Sequence, residues 1–317
     1  MTTDGNLCPR SHDTNAVTSL CGVGIGLRLP HIHQIIEQQP EVDWLEIHSC
    51  NFIDSPTNLA LLDSVAERYR LSFHGVSLNL GGTDKIDANY LNLLRRAIDQ
   101  YQPALISDHA CFTAFESKNY HDLLPIPYTA EAVNHLATRI TQVQDFLGRQ
   151  ILLENVSRYF TYPDQELTEA QFLNAVATQS GCGLLLDLNN AFVNQVNHQE
   201  DAMAFIEQLS LKHIAELHLA GHHREKDQLI DSHCAPICTE VWELFQSFIN
   251  HYRATFDADE LPPTLIEWDN QLPALQTLVD EQKFASDLIQ RTLPQSSDLR
   301  IKARSETQKT AKTSGWN

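Results

Sequence analysis

The sequence predicts an α/β protein built as one (β/α)8 TIM barrel. Eight short, nearly continuous apolar runs recur between residues 22 and 269, as expected of parallel strands covered on both faces. Longer segments with apolar residues at three- and four-residue steps separate them. After the first run no G-x-G-x-x-G fingerprint follows, only Gly22, Gly24 and Gly26 in the weaker G-x-G-x-G spacing, so an open doubly wound sheet is the runner-up.

The runs are GVGIGLRL (22–29), DWLEIH (43–48), LSFHGVSL (71–78), ALISDH (104–109), ILLENV (151–156), GLLLDL (183–188), IAELHLA (214–220) and TLIEWD (264–269). Between them, Val133, Leu136, Ile140, Val143 and Leu147 line one face of a helix over 129–147. Ser55-Pro56 offers an N-cap followed by proline at the first helical position. Thr168 and Gln171 fit a capping box, with Gly181 as the C-terminal stop. Further helices fit around 89–99, 200–211, 238–253 and 272–290. Residues 1–20 and the basic stretch 294–317 are polar and read as loose or disordered ends flanking a single domain over 21–293.

Of the 317 residues, 22 are basic and 41 acidic, a formal charge of −19 that argues against nucleic acid and against an anionic membrane surface. No apolar run reaches the roughly 18 residues of a membrane span, and the N-terminus lacks a signal-peptide core, so a cytoplasmic protein is expected. Seven irregularly spaced cysteines make neither a disulfide framework nor a paired C-x-x-C zinc pattern. Fifteen histidines beside this many carboxylates supply the ingredients of a metal site.

The decisive pattern is positional. The runs end in His48, His74, Asp108 with His109, Glu154 with Asn155, Asp187 with Asn190 shortly after, His218, and Glu267 with Asp269; the loop after the seventh run adds Asp231 and His233. In a barrel these ends converge on the rim that carries active sites. Any one of them alone is more often a hydrogen-bonded structural residue. Five carboxylates and four imidazoles on one rim are too many for one ion, and their mutual repulsion calls for cations, which points to two or three. Mixed imidazole and carboxylate donors without thiolate suit iron, zinc or manganese.

With these stretches in hand, the chain resembles the multinuclear non-haem iron-dependent oxidases, long catalogued as an uncharacterised bacterial family. The resemblance rests on GVGIGLR, VDWLEIHSCNF, LSFHGVSLNLGG, LISDHACF, HDLLPIPYTAEA, ILLENVSRY, GCGLLLDLNNAFVN, AELHLAGHH, LIDSHCAPI and PTLIEWDN, in order from about residue 22 to 290. It implies a xylose-isomerase-like TIM barrel holding two or three irons and using dioxygen to modify a ribosomally made precursor peptide, often at cysteine. A separate leader-recognition protein is the implied partner.

Carried over residue by residue, the resemblance gives one iron to His48, His74, Asp108 and Glu154. Glu154 bridges to a second iron with Asp187, His218 and Glu267. A third uses Asn190, Asp231 and His233. Glu154, His48 and His74 carry the catalytic expectation, and His109, Asn155 and Asp269 are expected to orient the ligands. Two departures stand out: Asn190 occupies a position where a stronger ligand is expected, and Cys50 follows His48-Ser49 where glutamate is commoner. Two other readings remain: a divalent-metal hydrolase or isomerase acting on sugars or abasic DNA, and a non-catalytic metal-binding partner of a peptide-processing complex.

Overall fold

The computed structural model describes residues 20–116, 118–256 and 260–292. The expectations for the two chain ends, apart from Leu20, lie outside these residues. Each of the eight runs forms a barrel strand: β1 Val23–Leu27, β2 Leu45–His48, β3 Leu71–His74, β4 Leu105–His109, β5 Leu152–Glu154, β6 Gly183–Asp187, β7 Ile214–Ala220 and β8 Thr264–Glu267. All neighbours are parallel, and β1 pairs with both β2 and β8, which closes the barrel.

The helices follow the sequence signals closely. They are α1 Ile32–Gln38, α2 Pro56–Ala66, α3 Ala88–Tyr101, α4 Ala130–Leu147, α5 Glu169–Ser180, α6 Leu188–His198, α7 Ala202–Gln208, α8 Thr239–Phe256 and α9 Leu275–Arg291. Ser55 caps α2, both bonds of the Thr168–Gln171 box start α5, and Gly181 ends α5 in the left-handed region at φ 70°. The apolar stripe of α4 is buried against the core. The sequence reading did not foresee α1, α6 or two hairpins, Cys111–Phe115 with Lys118–Pro125 and His223–Glu225 with Gln228–Ile230. Helix α6 was hidden because it starts without a loop: Asp187, the last residue of β6, is itself the cap and accepts the Asn190 amide at 2.7 Å.

The glycines of β1 have a steric purpose. A Cβ on Gly24 would fall 2.4 Å from the Trp44 ring, and one on Gly26 would fall 2.9 Å from the Arg28 guanidinium. The first strand is thus emptied so that a tryptophan can fill the barrel floor and an arginine can lie along the rim. At the floor, Trp44, Leu20 and Leu265 form a small apolar cluster. No helix among the described residues is long and apolar enough to cross a membrane.

Candidate metal centre

Strand alternation decides which side chains enter the barrel. Parallel register sets His48 beside His74, His109 beside Glu154, and Asp187 beside His218. These six side chains meet with Glu267 at the C-terminal mouth. Glu154 Oε2 lies 3.1 Å from His109 Nε2 and 3.4 Å from His74 Nε2. Its other oxygen is 4.0 Å from His218 Nδ1, which is 2.9 Å from Glu267 Oε2. His233, from the loop after β7, reaches Glu267 at 3.4 Å, Asp231 at 2.7 Å and Asp269 at 2.9 Å. Donor atoms of His74, His109 and Glu154 cluster tightly enough to hold one ion, as do those of Glu154, Asp187 and His218, those of Asp187, His233 and Glu267, those of His48, His74 and Glu267, and those of Glu46, His218 and Glu267. The first two sets share Glu154, the geometry of a bridging carboxylate.

Asp108 and His109 are placed opposite to the sequence expectation. A one-residue step along a strand reverses the face. His109 enters the cup, while Asp108, level with Leu153, turns away: its oxygens accept from the Leu78 amide at 3.1 Å and from the His109 amide at 2.7 Å. Asp108 therefore holds the loop after β3. The other orienting candidates sit as follows. Asn155 bonds both backbone groups of Asp187, accepting its N–H at 2.9 Å and donating to its carbonyl at 3.0 Å. Asp269 accepts from Arg28 Nε at 2.8 Å. Asn190 donates to the Asn155 carbonyl at 3.0 Å, leaving its own side-chain oxygen buried and without a hydrogen bond.

Three residues at the site escaped the sequence reading. Arg28, next to last in the first run, contacts Glu267 at 3.0 Å and His48 Nε2 at 2.9 Å, so a fixed cation offsets part of the acidic cluster. Glu46 and Glu216 sit two residues before His48 and His218, fully buried one layer deeper. The period-2 alternation of a strand is the signal that could have found them, because i and i−2 share a face.

The electrostatics record a site short of positive charge. Burial, reinforced by Asp187 and Glu267 against the pull of His109 and His218, pushes the Glu154 carboxyl up to about 8. Burial and Asp231 push Asp187 up to about 7 despite His233 and His218. Burial opposes charge on His109, yet Glu154 and Asp108 overcome it and raise His109 to about 9. His74 is held well below the ordinary imidazole range by burial and by His109 beside it. Burial would raise Glu267, but His233 and His218 hold it well below the carboxylate range. Glu216, buried and next to Glu46, is pushed well up.

The donor set fits metal ions. Glu154 Oε2, Asp187 Oδ2 and Asn190 Oδ1 are buried and make no hydrogen bond, a combination that buried polar atoms avoid unless an ion or water satisfies them. A cavity of about 110 Å³ opens onto Glu154 and Asn190, with Val76 and Leu123 on its lining. A larger cavity, about 560 Å³, lies at the N-terminal ends of α5 and α7, where Arg158 pairs with Glu169 and Glu200. Among the described residues it carries no metal-ligand cluster.

Residues 22–290 match the model of the family described as RiPP precursor modification enzyme MbnB/TglH/ChrH. The chain belongs to this family. Relatives include a UPF0276 protein of Chromobacterium violaceum, 42% identical over 86% of this chain and 97% of its own, and one of Acaryochloris marina, 37% identical over 89% and 99%. Similar solved folds include a D-psicose 3-epimerase (TM-score 0.52, 12% identity, 86% of this chain and 98% of that one). Endonuclease IV from Thermus thermophilus is another (TM-score 0.53, 10% identity, 85% and 99%). At such identity these two show the fold alone: a (β/α)8 TIM barrel. Family and fold together make the protein an enzyme of peptide modification with a metal-capable cup.

Proposed function

We propose that the protein is a multinuclear non-haem iron oxidase that uses dioxygen to modify a ribosomally synthesised precursor peptide at cysteine, in the cytoplasm and with a separate leader-recognition protein. The observation that carries this reading is the pair of ligand sets sharing Glu154, in a chain of a precursor-modifying family. His74, His109 and Glu154 would hold one ion, with His48 on the open side at 14% exposure. Glu154, Asp187, His218 and Glu267 would hold a second, and Asn190, Asp231 and His233 a third. Bound iron supplies open coordination positions and one-electron chemistry toward dioxygen.

The chain's own residues do the rest. Arg28 pins Glu267 and Asp269, and Asp269 in turn orients His233. Asn155 locks the strand end that presents Asp187. Ser107, 2.7 Å from His74 Nδ1, directs that ring's Nε2 toward Glu154. The cavity of about 110 Å³, with Val76 and Leu123 on its lining, would have room for a side chain such as that of cysteine.

The test is direct. The chain is purified without oxygen, its metals are measured, and it is mixed with a cysteine-containing precursor peptide and air; iron and a peptide mass change are expected. Zinc alone with an unchanged peptide sinks the oxidase reading. Glu154→Gln should lose bound iron and more than about 100-fold in turnover, because it touches both ion sets rather than supporting one from behind.

A further inference from the structure

Two fully buried carboxylates take no part in the ion sets of the proposed function, although Glu46 also lies within reach of His218 and Glu267. Glu46 on β2 and Glu216 on β7 lie one layer below the cup, and none of their four oxygens makes a hydrogen bond. His218 stands between the layers. Its Nδ1 is 2.9 Å from Glu267 Oε2, on the cup side, and its Nε2 is 3.5 Å from Glu46 Oε2, on the floor side.

A neutral imidazole has one N–H and one lone pair, and the group engaging one nitrogen decides what the other can do. The two ring nitrogens point apart, so an ion at Nδ1 leaves Nε2 and Glu46 to each other. We infer that Glu46 is a positioning residue of the metal centre: it accepts the Nε2–H of His218 and so presents the Nδ1 lone pair to the ion shared with Glu154, Asp187 and Glu267. A carboxylate behind a ligating imidazole fixes the tautomer and makes the ring a stronger donor. Glu216 lies beside Glu46 but faces no ligand nitrogen in this way, and it serves as the control. The inference rests on the reading that the cup binds metal.

The experiment titrates Fe(II) anaerobically into the full chain and into E46L, E46A, E46Q and E216Q, with thermal unfolding of each metal-free form measured alongside. E46L and E46A are expected to lose about 10–100-fold in affinity. E46Q, whose amide oxygen still accepts, retains most of it, and E216Q matches wild type. Metal-free E46L should unfold no lower than wild type, since leucine removes an unsatisfied buried carboxylate; a merely structural role would instead lower unfolding temperature and leave affinity intact. Wild-type affinity in both E46L and E46A, or an equal loss in E216Q, overturns the inference. A wild-type chain that takes up no Fe(II) overturns the proposed function with it, so the wild-type titration separates the two failures.

Discussion

At the floor of the barrel, Trp44 packs with Leu20 and Leu265 against a strand whose Gly24 leaves room for its ring. At the mouth, the same strands carry four histidines, three carboxylates and Arg28 into a comparable cross-section. The floor cluster is held by apolar packing. The mouth is not satisfied by its own residues: carboxyls hold protons well above their ordinary range, and buried oxygens lack partners. One end of the interior is built for stability, and the other stores electrostatic cost that cations would relieve.

The sharpest way to break this contrast is to exchange the roles within β4. His109→Ala should lower iron affinity by more than about 100-fold, as removal of a direct donor, whereas Asp108→Asn should stay within about tenfold. Metal analysis of the two variants decides it, and the reverse result would restore Asp108 to the cup.

The second test uses pH. Above pH 7 the metal-free fold still holds protons on the Glu154–His109 pair that an unfolded chain has released. The native state then binds more protons, so its stability falls as pH rises from 7 to 9. Metal binding must expel those protons, so affinity rises over the same window. Thermal unfolding of the metal-free chain at pH 7, 8 and 9, with Mn(II) titrations alongside, should show the two trends in opposite directions.

At the floor the expected effect is purely steric. Gly24→Ala drives a methyl into the Trp44 ring and should cost about 1–3 kcal/mol, seen as a lower unfolding temperature with unchanged metal affinity. The smallest effect belongs to the outer layer: Thr168→Ala removes one half of the α5 capping box and should cost about 1 kcal/mol in denaturant unfolding, with no change at the mouth.

The barrel was legible because its signals are local. Each apolar run, the Ser55 and Thr168 caps and the α4 stripe depend on residues near in sequence. The rim was legible for the same reason, since a strand's last polar residue marks its mouth end. Helix α6 was missed because Asp187 ends a strand and caps a helix at once, which leaves no loop to read.

What the sequence alone determined is the eight barrel strands, the helices with local caps or stripes, and most of the side chains delivered to one rim. Only the tertiary structure decided which face each takes. Alternation on β4 put His109 in the cup and Asp108 against the Leu78 amide. The physical reason is that facing and layer depend on register between strands far apart in the chain. A single residue's slip exchanges inside for outside, and no local pattern records it.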